Sequence, residues 1–340
     1  MLLESMPLQA TLALALAVLG LAVSGPSATG SGDEGAPAGD SQGGIDRDAG
    51  GPDGPKLVPD VRDFRYGPHF GNSFDLYLAK SDKPTPLLIW LHGGAFLHGD
   101  KAGVPRALLR TALASGISVA SVNYRLSQQA PFPAPFHDAG RALQYLRFDA
   151  KQWNLDRRQF ICAGSSAGGG ISLWLALHPD LADPTSADMV ATHSSRPDLV
   201  ACIDTQCSYD PHFIRQIIPG PAADNRAMKM LFRVRAEDFD TDWARERFAE
   251  GSAINFAGAD APPVYLFYRY QNLTPTEDLP GSHGIHHPRF GHVLKEKLDA
   301  LGVECVVSGA EVHPEMDDAQ LRAAYASEAV AFIRRHFPRE

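Results

Sequence analysis

After residue 60 the chain settles into a repeating order of short apolar runs, loops, and stretches whose apolar residues recur every three or four positions. The apolar runs fall at residues 87–91, 117–122, 160–163, 199–203, 264–268 and 303–307. Each is nearly continuous rather than alternating, the pattern of a strand covered on both faces in a parallel sheet. Two earlier stretches, "VRDFRYG" and "SFDLYLA", alternate apolar and polar residues and predict antiparallel edge strands. Ala139, Leu143, Leu146, Ala150 and Trp153 step by four and three, so they share one helix face. Phe290, Leu294, Leu298 and Leu301 do the same, with Gly302 at the position of a C-terminal helix cap, and a last helix carries Leu321, Tyr325, Ala329, Phe332 and His336. Strand–helix alternation of this length predicts an α/β fold with a doubly wound, mostly parallel sheet, whose sites gather at the carboxyl ends of the strands. Residues 210–259 break the alternation with mostly helical composition and are read as a small cap-like insertion.

The amino-terminal segment has a different pattern. Residues 8–23, "LQATLALALAVLGLAV", are apolar or neutral throughout, and Ala22-Val23-Ser24 offers small residues for cleavage. Residues 1–24 therefore read as a signal peptide or an N-terminal anchor, and the protein as secreted or periplasmic. Glu4 is the only charge ahead of the run and no basic residue precedes it, so cleavage, retention as an anchor, and a start at Met6 all stay open. Residues 25–60, rich in Gly, Asp, Pro, Ala and Ser, bury too little apolar surface to repay ordering and read as a disordered linker. The folded domain is placed at 61–340. No other uninterrupted apolar run reaches the length of a membrane span.

Charge and cysteine usage narrow the classes. Against 31 Lys and Arg stand 40 Asp and Glu, a formal charge of −9. Without basic clusters this argues against nucleic acid as a partner, since phosphate neutralisation needs concentrated Lys and Arg. Cys162, Cys202, Cys207 and Cys305 read as buried thiols, with a Cys202–Cys207 disulfide the simplest alternative. They show no metal-ligand spacing. His283, His286 and His287 match no standard zinc template, so neither metal nor cofactor is expected.

The candidate chemistry lies in "CAGSSAGGG". Gly164-Ser165-Ser166-Ala167-Gly168 has the form G-x-S-x-G and stands between a predicted strand and a predicted helix. That context is what the pattern requires: the serine sits on a sharp, strained turn, and glycines two residues to either side let strand and helix approach. Ser166 is thus the candidate nucleophile. In "LLIWLHGGAFLHGDK", His92-Gly93-Gly94 follows a strand directly, and the amides of Gly93 and Gly94, with that of Ala167, are candidates for an oxyanion hole.

These blocks, together with "VNYRLSQQAPFPAPFHDAGRALQYLR", resemble the α/β-hydrolase superfamily, specifically its hormone-sensitive-lipase-like branch of bacterial carboxylesterases. The resemblance runs from about residue 61 to the end and is weakest in the 210–259 insertion; Ser165 stands where the branch often has an acidic residue. It implies a base after the last strand, where "AEVHPEMDD" supplies His313, and an acid after the strand at 264–268. Asn272 falls at that acid position, in "RYQNLTPTEDLPGSHGIHH". Asparagine can orient an imidazole but brings no charge. Glu277 or Asp278 in the same loop, or Asp210 after the preceding strand, are alternative acids, and a chain with no acid at all is the remaining alternative. Asn272-Leu273-Thr274 is also a formal glycosylation sequon.

The expectation is an exported serine hydrolase that cleaves carboxylic esters, with short acyl groups implied by the resemblance, on a small-molecule or polysaccharide-linked substrate. A peptidase is a lesser variant. The competing class is a catalytically impaired binding protein on a hydrolase scaffold, motivated by Asn272.

Overall fold

Side chains on successive residues of a strand point to opposite faces, so a continuous apolar run feeds two cores at once. The computed structural model, which describes residues 57–339, shows this directly. Leu87, Ile89 and Leu91 join one hydrophobic cluster while Leu88 and Trp90, between them, join a second on the other face. The sequence-predicted signal or anchor at 1–24 and nearly all of the linker lie outside the described residues. Among the described residues no helix is long and apolar enough to cross a membrane.

In chain order the strands are β1 (Val61–Arg65), β2 (Ser73–Tyr77), β3 (Thr85–Leu91), β4 (Ser118–Val122), β5 (Leu155–Ser165), β6 (Leu199–Ile203), β7 (Val264–Tyr268) and β8 (Cys305–Gly309). The helices are α1 (Arg106–Ala114), α2 (Ala134–Phe148), α3 (Ala167–Leu177), α4 (Pro211–Ile217), α5 (Arg226–Phe232), α6 (Asp242–Gly251), α7 (Gly281–Gly284), α8 (Arg289–Ala300) and α9 (Asp318–His336). The eight strands form one sheet in the order β1-β2-β4-β3-β5-β6-β7-β8, antiparallel at β1/β2 and β2/β4 and parallel thereafter. This is the doubly wound α/β architecture expected from the pattern. Helices α1 and α9 bury Leu108, Leu109, Leu321 and Tyr325 on one face, while α2, α3 and α8 bury Phe136, Leu143, Ile171, Phe290 and Leu294 on the other.

Element boundaries depart from the apolar pattern in places. Helix α2 stops at Phe148, and Ala150 and Trp153 are buried from the turn that follows it. The last strand begins at Cys305 rather than 303, because the Val303 amide donates to the Leu298 carbonyl and closes the end of α8 instead. Gly302 sits in the left-handed region there, with φ +74°. Between β6 and β7 the chain is helical: α4, a 3₁₀ turn at Pro221–Asp224, α5, α6 and a 3₁₀ turn at Ala253–Phe256. Ile214, Ala222, Met228, Leu231, Phe232 and Phe248 from this stretch merge with the α2/α3/α8 core. All four cysteines are free and buried. Burial in apolar surroundings pushes the Cys202 and Cys305 thiols up to about 12, so they stay protonated.

Candidate active site

Strands β3 and β5 are neighbours, with Leu91 opposite Gly164, so the loops leaving their carboxyl ends open side by side. Ser166 joins β5 to α3 with φ 50° and ψ −117°, a conformation that costs a non-glycine residue energy and lifts the side chain out of the turn. The flanking glycines are required by space. A Cβ on Gly164 would come within 2.5 Å of the Gly168 carbonyl carbon, and one on Gly168 within 2.0 Å of the Leu91 carbonyl oxygen. Ala167 is the first residue of α3, so its N–H has no partner within the helix and remains available beside the Ser166 hydroxyl.

The loop after β3 is held against this elbow. A Cβ on Gly93 would lie 2.9 Å from the Ser165 carbonyl oxygen, Gly94 has φ +107°, and Ala95 and Phe96 both have positive φ. The Tyr124 hydroxyl donates to the His92 carbonyl at 2.6 Å, and its ring stacks on the His92 imidazole. Burial pushes the His92 pKa down to about 4, which keeps that ring neutral beneath the loop. Ala95, Phe96, Ser166 and Ala167 line one pocket, so Ala95 joins the oxyanion candidates Gly93, Gly94 and Ala167.

The structure pairs Ser166 with His286. The Ser166 Oγ lies 2.9 Å from His286 Nε2, and His286 Nδ1 lies 2.8 Å from the carbonyl oxygen of Ser282. A carbonyl can only accept, so Nδ1 carries the proton and donates it. Nε2 is left with its lone pair towards the serine hydroxyl, the tautomer of a general base. Burial of the ring lowers the His286 pKa, opposed by the Asp204 charge and the bond to Ser282, while Arg269 lowers it further. Asp204, the first residue after β6, is buried and accepts from the Arg269 amide at 2.9 Å and its Nε at 2.5 Å. Arg269 is shared with Asp318. The Tyr270 ring lies parallel to His286, 6.1 Å away. The pH dependence follows in sign: if His286 is the base, kcat/KM for an ester rises with pH through an inflection below the ordinary imidazole value of about 6.5. A pH–rate profile on p-nitrophenyl acetate checks this, and an acid limb centred well above that value contradicts it.

The other sequence-predicted residues lie elsewhere. His313 is in the loop after β8, but its Nε2 bonds Glu328 Oε1 on α9 at 2.6 Å, and the other Glu328 oxygen accepts from Tyr265 and Ser308. Asn272, Glu277 and Asp278 are exposed in the loop after β7, and among the described residues no hydrogen bond joins them to a histidine. Asp210 caps α4 by accepting from the His212 amide. The sequence histidine cluster is also divided: His286 faces Ser166, His287 Nε2 bonds the Leu273 carbonyl at 2.9 Å, and His283 packs on Tyr270. Among the described residues no group of three or more His, Cys, Asp or Glu is arranged to hold a metal ion.

The pocket in front of Ser166 is walled by Phe96, Tyr209, Ile214, Met228, Ile285 and Phe290. Its free volume is about 30 Å³, room for roughly two water molecules. Ile214 and Met228 belong to the helices between β6 and β7, so that insertion forms part of the wall.

A strand–serine–helix elbow at the centre of this sheet order defines an α/β-hydrolase. Residues 74–270, more than half of the chain, match the BD-FAE family, and the chain belongs to it. Among curated proteins it is similar to Esterase LipI of Mycobacterium tuberculosis, 27% identical over 183 residues, which are 54% of this chain and 54% of that protein. It is also similar to an esterase of Gibberella moniliformis, 30% identical over 32% of this chain and 34% of that protein. The chain thus matches about half the length of the first of these relatives and a third of the second. Among solved structures, an acetyl ester-xyloside bifunctional hydrolase from Caldicellulosiruptor lactoaceticus aligns with a TM-score of 0.59 at 21% identity, covering 77% of this chain and 88% of that one. A truncated carbohydrate esterase from gut microbiota aligns with a TM-score of 0.61 at 20% identity, covering 82% and 95%. These likenesses speak for the fold.

Proposed function

We propose that the chain is a serine carboxylesterase of short-acyl esters, with Ser166 as nucleophile and His286 as base. The observation that carries this is the 2.9 Å contact between Ser166 Oγ and an imidazole whose other nitrogen is committed to a carbonyl. Ser166 Oγ attacks the ester carbon as its proton passes to His286 Nε2. The oxyanion is received by the Ala167 N–H and the Gly93–Gly94–Ala95 loop. The protonated His286 then gives its proton to the departing alcohol, leaving an acyl-Ser166. Water repeats the sequence: it loses a proton to His286, attacks the acyl carbon, and the acid leaves as Ser166 regains its hydrogen.

The narrow pocket in front of Ser166, with Met228 and Ile214 in its wall, supports the short-acyl reading. Acetylated saccharides are the natural esters to try first, since one fold relative is an acetyl ester-xyloside hydrolase and another a carbohydrate esterase. The hormone-sensitive-lipase-like assignment rests on the "HGGAFLHGDK" and "CAGSSAGGG" blocks, and export on the apolar run at 8–23. A fluorophosphonate probe tests the nucleophile: labelling is expected for the native protein and not for Ser166→Ala. Native protein that stays unlabelled sinks the reading and leaves the binding-protein alternative.

A further inference from the structure

His286 has no side-chain partner on its Nδ1 to steer it, so its position depends on the backbone that carries it. That backbone, running from Glu277 through α7, lies against the 3₁₀ turn Pro221–Asp224 of the insertion between β6 and β7. Three successive residues of the turn region meet three positions of the loop. A Cβ on Gly220 would lie 2.6 Å from the Glu277 carbonyl oxygen, Gly281 approaches Pro221, and a Cβ on Gly284 would lie 2.7 Å from the Ala222 Cβ. Gly284 is not among the glycines with positive φ. Its lack of a side chain therefore answers to the closeness of Ala222 and not to backbone conformation. Ala222 is itself buried at 1% exposure, with Ile218 also against Gly284, so there is no open side towards which the contact can relax. Gln206 adds a tie from the loop after β6, its amide donating to the carbonyl of Ile285, the residue before the base.

We propose that the seat of Gly284 on Ala222 sets the position of His286 relative to Ser166, making Gly284 and Ala222 positioning residues for the base. This rests on the esterase reading above and adds to it that the insertion both walls the pocket and holds the imidazole. A methyl group at 284 pushes the segment bearing Ser282, Ile285 and His286 away from the insertion. Displacements of about 1 Å at a reacting group can cost on the order of 100-fold in rate.

The test is Gly284→Ala, assayed with p-nitrophenyl acetate beside Ala222→Gly, the Ala222→Gly/Gly284→Ala double variant, and His286→Ala. For Gly284→Ala kcat is expected to fall at least about tenfold with KM within about twofold. The double variant, which removes the opposing methyl, is expected to recover most of that loss relative to Ala222→Gly alone. A general loss of stability would not be reversed by deleting a second buried methyl, which by itself destabilises. If Gly284→Ala keeps its kcat, or if the double variant is no better than Gly284→Ala, the positioning role is overturned. Should Gly284→Ala not accumulate folded, Ala222→Val presses on the same contact from the other side and must show the same kcat loss. Failure of the underlying reading has a separate signature: His286→Ala would then hydrolyse the ester normally, whatever happens at residue 284.

Discussion

His286→Ala is expected to lower kcat for p-nitrophenyl acetate by about 10⁴-fold or more, while His313→Ala stays within about threefold of the native enzyme. The contrast is large because only one of these imidazoles touches the serine. Loss of His286 leaves Ser166 Oγ with no acceptor for its proton at 2.9 Å, and no other side chain among the described residues hydrogen-bonds it. Loss of His313 removes a partner of Glu328, whose carboxylate keeps the hydroxyls of Tyr265 and Ser308. Its effect therefore belongs to folding stability, by about 1 kcal/mol, and not to turnover. Steady-state kinetics of the two variants, with denaturant unfolding of each, separates the cases. The reverse ranking would return the base to the loop after β8.

Gly168→Ala is expected to abolish fluorophosphonate labelling and to destabilise the fold by about 3 kcal/mol. Its methyl carbon has nowhere to go: the Leu91 carbonyl oxygen would lie at 2.0 Å and the His92 carbonyl oxygen at 2.5 Å, both backbone atoms at the strand end that leads into the Gly93–Gly94 loop. Relief requires α3 to back away from β3, which moves Ser166 and the Ala167 N–H together. Gly302→Ala is the control. That glycine has φ +74° with nothing within 4 Å of a new Cβ, so only backbone strain of about 1 kcal/mol is added. Equal stability losses for the two variants, or a labelled Gly168→Ala, would show that the elbow tolerates looser packing than its geometry implies.

The sheet was legible because its strands are buried on both faces: runs such as "LLIWL" and "LVACI" need no alternation to declare themselves. Ser166 was legible because glycines two residues to either side answer a steric demand that leaves a mark in the sequence. The base was not. His286 takes its orientation from the carbonyl four residues earlier, and every residue possesses a carbonyl, so Ser282 carries no signature. The loop after β7, where the resemblance puts an acid, offers Asn272, Glu277 and Asp278, all of which the structure leaves exposed. His313 stands in the loop where the family resemblance puts a base, but Glu328, fifteen positions on, turns it towards α9, and nothing local to His313 announces that. Asp204 offered a weak signal, as an acidic residue directly after a buried strand.

A partner for His286 made of main chain has a genetic consequence. No single codon encodes the Ser282 oxygen, so no point substitution at that residue short of bending the chain can delete it. The contact that orients His286 is inherited as the shape of a loop, and survey by residue identity passes over it.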